Sequence, residues 1–176
     1  MDIIQCDGDG YRVDVLSTVP SKPNKEKIVV VQGGSDTVNR LAVSSSSTDI
    51  LLDPHLGNRR DTVTQRDSGL NHVLCKLARE NNVAIGFSFS SVLHTTDRVT
   101  LIGRTIQNIR LCRKYKVQIV IGTFAKGPWE LRNIRDVQSF FMLLGMSGTD
   151  VKKDFVRERL DFKRRFVRKG VMLAEH

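Results

Sequence analysis

Asp53 and His55 stand two positions apart in the polar stretch 53–68 (DPHLGNRRDTVTQRDS), directly after the apolar triplet Ile50, Leu51, Leu52. A carboxylate and an imidazole at a strand end could hold a divalent metal and activate its water for phosphate-ester hydrolysis, with Asp61 or Asp67 as further ligands. The other histidines, His72, His94 and His176, show neither the i, i+4 spacing of a helical metal site nor an H-x-H pattern. The sequence has no G-x-S-x-G elbow, Walker loop or full dinucleotide fingerprint, and Gly33-Gly34-Ser35 is an anion-binding signal that any strand-to-helix turn can share. Cys6, Cys75 and Cys112 are odd in number, lack C-x-x-C spacing and read as packing residues in a reducing compartment.

Phosphate contact is the second chemistry within reach. The 176 residues carry a formal net charge of +9, and it is concentrated: residues 97–135 hold nine basic and two acidic side chains, and 151–176 hold nine and four. A basic field of this kind attracts a polyanion through counterion release. On a wheel of 100° per residue, Arg110 and Lys114 make a ridge on helix 97–115, pointing away from a stripe of Val99, Ile102, Ile106 and Ile109. Arg113 falls nearer that stripe, and Arg113, Lys114 and Lys116 also suit a helix C-terminus through the macrodipole. Trp129, the sole tryptophan, lies between Lys126 and Arg132, where it could stack on a base or cap a core.

These residues must be positioned by alternating strands and helices. Residues 11–16, 28–32, 50–52, 83–89 and 117–124 read as strands, and VAIGFSF and VQIVIG are continuous enough in apolar residues for a parallel sheet covered on both faces. Helices are expected after Ser35, after Ser68 through the stripe Leu70, Val73, Leu74, Leu77 and Ala78, over 97–115, around Val137 to Leu144, and after Thr149 or Asp150. His72 falls on the solvent side of its helix. The final segment shows two apolar stripes, Val151, Phe155, Phe162 and Phe166 against Val156, Leu160 and Val167. It is either one helix covered on both faces, leaving Lys163, Arg164, Arg165 and Arg168 beside a partner surface, or two shorter helices. A full eight-fold barrel takes about 250 residues, so the chain is expected to form a single short or distorted barrel, or an open sheet, over 1–176, with 151–176 a basic helical segment. The longest apolar run falls short of a membrane span, and the acidic start MDIIQCDGDG is unlike a signal peptide, which points to a soluble intracellular protein.

From Lys27 onward the sequence resembles the barrel-type protein subunit of archaeal and eukaryotic ribonuclease P, called protein component three in archaea. The blocks that carry the resemblance are IVVVQGGSDTVNRLAV (28–43), TDILLDP (48–54), DSGLNHVLCKLARENNVAIGFSFS (67–90) and NIRLCRKYKVQIVIGTFAKGPWELRNIRDVQSFFMLLGM (108–146). The resemblance implies an α/β, (β/α) TIM-barrel-like fold, related to metal-dependent phosphoesterase barrels. It also implies a non-catalytic role supporting the catalytic RNA that removes the 5′ leader of precursor tRNA. Members of this family start with a strand, which the short N-terminus here barely supplies, and after the strand of the last block the usual small or hydroxylic residues here read Gly122-Thr123-Phe124-Ala125.

On this reading Arg98, Arg110, Arg113, Lys114, Lys126, Arg132 and Arg135 contact the RNA backbone. Mg2+ is expected to serve the RNA, with no cofactor in the polypeptide. The expected partners are ribonuclease P RNA, precursor tRNA through the holoenzyme, the small ferredoxin-like subunit and other holoenzyme proteins, with no membrane. The expected location is cytoplasmic, or nucleolar if the source is eukaryotic. The rival readings are a stand-alone barrel phosphoesterase built on Asp53 and His55, and a structural module whose charge meets an acidic protein.

Overall fold

Four short strands come first, and from there on helices capped by polar side chains alternate with apolar strands. The computed structural model describes residues 2–63, 66–168 and 171–172, those beyond Arg165 as backbone only. After β1 (Ile3–Ile4), β2 (Tyr11–Arg12), β3 (Val15–Leu16) and β4 (Val30–Gln32), the Ser35 hydroxyl accepts from Val38 N–H and starts α1 (Asp36–Ser44). β5 (Ile50–Leu52) follows, and Asn71, not Ser68, caps α2 (His72–Glu80). The 83–89 run divides at Ser88: β6 (Ala84–Ser88) ends where the Ser88 hydroxyl accepts from Ser91 N–H and opens α3 (Phe89–His94), a helix not foreseen from the apolar run. Asp97 caps α4 (Arg98–Tyr115), which leads into β7 (Ile119–Gly122). A 3-10 turn at Pro128–Glu130, α5 (Ile134–Leu143), α6 (Gly148–Lys152), α7 (Phe155–Arg165), β8 (Phe166–Arg168) and β9 (Val171–Met172) complete the described chain.

β3, β4, β5, β6 and β7 pair side by side, all parallel. The N-terminal residues close this sheet. β1 pairs with β2, and residues 11–16 are one crossing stretch whose first half lies on β1 and whose second half lies on β4. On its other side β1 meets the end of β7, where Phe124 N–H donates to the Ile3 carbonyl (2.7 Å) and Gln5 N–H to the Ala125 carbonyl (2.9 Å). The ring β1, 11–16, β4, β5, β6, β7 is therefore a small barrel, and the missing first strand is supplied by two isoleucines. Gly122 permits the seam, because a Cβ there would stand 3.1 Å from the Ile3 Cβ.

Alternation along the strands separates two apolar layers. Ile3, Val13, Val30, Ile50, Leu52, Ala84, Val120 and Phe124 fill the barrel interior, while Val31, Leu51, Ile85, Phe87, Ile119 and Ile121 pack outward with the helices. The C-terminal segment is not one helix: α6 and α7 are broken at Lys153 and Asp154, and past Arg165 the expected helical segment gives way to the antiparallel pair β8 and β9. Val151 joins the outer layer, whereas Phe155 and Val156 enter the interior cluster and stop the end of the barrel from which the strands start. Asp49, immediately before β5, anchors α7: its carboxylate accepts from Arg159 Nε (2.8 Å), Lys163 Nζ and Val29 N–H (2.7 Å). Lys163 also donates to the Asn24 and Lys27 carbonyls, both at 2.8 Å. It is thus a structural cation and not part of a partner surface. The side chains of Phe166, Val167 and Arg168, and all of His176, lie outside what is described.

α4 is rotated from the expected stripe. Val99 is 84% exposed, and the buried face is Leu101, Thr105, Asn108, Ile109 and Cys112. Two of these are polar but tethered: Asn108 Nδ2 donates to the Ser68 carbonyl (2.8 Å), and Thr105 Oγ1 to the Leu101 carbonyl (2.9 Å). Hydrogen bonding thus brings to the core a face that hydropathy alone assigns elsewhere. Cys75 and Cys112 are buried packing residues, Cys6 is partly buried, and all three are unbridged.

Candidate nucleic-acid interface

The strand ends β4 to β7 open into a depression of about 510 Å³, lined by Gln5, Gln32, Asp53, Ser88, Lys126 and Glu130 among others. Asp53 adopts left-handed backbone (φ 47°), which Asp tolerates better than most residues. This turns its carboxylate onto Ser88, accepting from the backbone N–H (2.9 Å) and the hydroxyl (2.6 Å). Burial raises its pKa to about 6, against the pull of those Ser88 bonds.

His55 goes elsewhere. Its ring leaves the mouth for the helical layer, 5.9 Å from the Phe87 ring, with Nε2 3.4 Å from Thr105 Oγ1 and Nδ1 without a partner. Burial, with the Arg104 and Arg59 charges nearby, lowers its pKa to about 3, so it is neutral at physiological pH. Asp61 pairs with Arg104 (2.8 Å) and Asp67 with Arg59 (2.7 Å). The residues of the hydrolase reading therefore do not converge, and among the described residues no three His, Cys, Asp or Glu side chains are grouped to hold a metal.

The cations divide into two kinds. Arg59, Arg104, Arg159 and Lys163 turn inward onto carboxylates. Arg98, Arg110, Arg113, Lys114, Lys126, Arg132 and Arg135 are all exposed, and among the described residues none of them pairs with a carboxylate. They do not form one patch. Arg98, Lys126, Arg132 and Arg135 sit on the segments that follow β6 and β7, at the open mouth. Arg113 and Lys114 lie in the last turn of α4 and Arg110 one turn earlier, toward the stoppered end. About 24 Å of helix separates Arg98 from Lys114 at 1.5 Å per residue.

Arg113 reaches across to the Gly145 carbonyl (2.8 Å), so it is not buried against the apolar stripe. Beside it a second depression of about 570 Å³ is lined by Arg113, Lys116, Lys153, Asp150 and Glu158 among others. Lys116 and Lys153 were not among the seven expected contacts; the clustering of Lys152 and Lys153 in the sequence was the available signal. Trp129 is 91% exposed and caps nothing.

A profile of the family described as RNase P subunit p30 matches residues 13–159. The chain belongs to this family. It is similar to ribonuclease P protein component 3 of Methanococcoides burtonii, 35% identical over 144 residues, which cover 76% of this chain and 56% of that protein. The corresponding protein of Methanocaldococcus jannaschii is 33% identical over 123 residues, 69% of this chain and 50% of that one. A chain in the cryo-EM structure of archaeal ribonuclease P with mature tRNA superposes with a TM-score of 0.67 at 28% identity, over 85% of this chain and 65% of that chain. This family member thus spans about half to two thirds of the length of the relatives it matches, and its closed ring is the TIM-barrel-like core of the family.

Proposed function

We propose that this p30-family chain is a protein subunit of ribonuclease P that binds and supports the catalytic RNA during removal of the 5′ leader from precursor tRNA. The observation that carries the reading is the set of seven exposed cations that pair with no carboxylate among the described residues, on a fold shared with a chain of archaeal ribonuclease P. Cations left free at both ends of the barrel can contact phosphates of a folded RNA and fix its position without reading sequence. The chain supplies backbone contacts, and Mg2+ serves the RNA. Precursor tRNA, the small ferredoxin-like subunit and other holoenzyme proteins are the further partners, and the complex works in the cytoplasm. Among the described residues no helix is long and apolar enough to cross a membrane.

Reconstitution tests this reading. Catalytic RNA with its other protein subunits should cleave precursor tRNA faster, and at lower magnesium, when this chain is added. Cleavage indifferent to the chain would refute the assignment. Binding of the chain to the RNA should weaken by roughly 10³ to 10⁵ between 50 and 200 mM salt if about 6 to 10 phosphates are contacted.

A further inference from the structure

Trp129 projects into solvent from a loop that is held rigidly behind it. The Glu130 carboxylate accepts from Lys126 N–H (2.9 Å) and the Ser90 hydroxyl, and bonds His94 Nε2 (2.8 Å). Burial alone would raise its pKa; the hydrogen bonds from Ser90, Lys126 and His94 hold it down at about 2. Ser90 is itself fixed, its N–H donating to the Thr123 carbonyl at the end of β7 (3.0 Å). From the other side, Arg132 Nη1 donates to the Trp129 carbonyl (2.9 Å) and the Leu131 carbonyl (2.7 Å). Pro128 opens the 3-10 turn and limits its backbone freedom. An indole on such a loop is presented to solvent by the structure, not left there by slack.

The surroundings specify the partner. Lys126 and Arg135 side chains are exposed, and the only carboxylate of the 126–135 loop, Glu130, faces inward onto α3. A protein hot spot built around tryptophan is usually depleted of lysine at its centre. A flat aromatic face among unneutralised cations instead fits a ligand that is itself flat and anionic. We propose that Trp129 is a stacking platform for one unpaired nucleotide of RNA, with Lys126 and Arg132 taking the flanking phosphates and Glu130 positioning the loop. The ligand class is single-stranded RNA, because base faces in a duplex are already stacked. The inference rests on the RNA-binding reading above and adds to it a site that reads strandedness.

Because Trp129 is the only tryptophan, its emission reports this site alone. The full chain is titrated with an unstacked oligouridylate and with a blunt RNA duplex of equal charge, following fluorescence and, separately, anisotropy of labelled RNA. The single strand should quench the emission strongly and the duplex little. Trp129→Ala should weaken single-strand binding by roughly 5- to 100-fold, the share of one stacked base, and leave duplex binding unchanged, while Trp129→Phe restores most of the affinity. Glu130→Gln should weaken single-strand binding with the indole retained. Single-strand binding with unchanged emission, or equal affinity of Trp129→Ala, would overturn the platform while leaving RNA binding intact. Failure of both RNAs to bind would overturn the RNA-binding reading with it. Circular dichroism of each variant confirms that the fold persists.

Discussion

The Asp2 carboxylate accepts from both the backbone N–H (2.8 Å) and the hydroxyl (2.6 Å) of Thr123, 121 positions away in the chain. With Ile3 N–H on the same carboxylate (2.8 Å), this contact ties the first strand to the last and converts a sheet into a ring. Asp2→Ala would leave a buried Thr123 N–H without its acceptor, a cost of about 1–3 kcal/mol. Denaturant unfolding should show that loss, and hydrogen exchange at Gln5 and Phe124, whose amides cross the seam, should accelerate. Unchanged exchange there would mean that the seam is held by the backbone bonds alone.

Asp53 gives a stability signal with a definite sign. Its folded pKa of about 6 lies above the ordinary aspartate value of 3.8, so the stability linked to its neutral form is complete below about pH 4 and is lost as pH rises through 6. Asp53→Asn keeps an acceptor for Ser88 N–H and cannot ionise. Relative to the wild type, its unfolding free energy should therefore improve by about 3 kcal/mol between pH 4 and pH 8. A difference independent of pH would show that the carboxyl ionises freely in the fold.

The strands of the central sheet and most helices were legible because their apolar runs and caps, such as Ser35 and Asp97, act locally, whereas β1, β8 and β9 are too short to show a pattern. The face of α4 was not legible either. Thr105 enters the core with its hydroxyl satisfied by the Leu101 carbonyl one turn back, and Asn108 with its amide N–H on the Ser68 carbonyl 40 positions earlier, and hydropathy registers neither acceptor. Phe155 and Val156 were visible as apolar residues, but their destination inside the barrel depends on Asp49, more than a hundred positions earlier. At the candidate interface the seven cations were legible as charge. That Arg104 in the same basic segment is consumed by Asp61, or that Trp129 stands free, required the fold.

Asp49 is buried beneath α7, and its replacement is predicted to be costly. Asp49→Ala leaves Arg159 and Lys163 nearly buried, at 14% and 12% side-chain exposure, without their carboxylate, and should destabilise by about 3–5 kcal/mol. Asp161→Ala removes the exposed 3.9 Å pair with Arg164 and should change stability by less than about 0.5 kcal/mol. Chemical denaturation of both variants tests the contrast, and equal effects would contradict α7 as the stopper of the barrel.

Arg110 and Lys114 separate function from packing on α4. Both are exposed, and the one described contact between them and the fold is Lys114 over the Tyr115 ring at 5.7 Å. Their joint replacement by Ala should leave thermal unfolding within about 0.5 kcal/mol per site. The log-log salt slope of RNA binding should shrink by roughly two if each neutralises one phosphate. An unchanged slope in a folded double variant would remove this end of the barrel from the RNA contact.

The seam between Ile3 and Phe124 also sets a timetable for synthesis. The strand made among the first residues finds its far neighbour only after residue 124 has been added, and its interior filling only with Phe155 and Val156. At about 5–20 residues per second, two buried isoleucines wait on the order of 6–30 s beside an unfinished ring. During that interval β1 and the most recently made strand of the sheet each present an unpaired edge, the kind of template on which another chain can add, so the ring is most open to association before its seam closes.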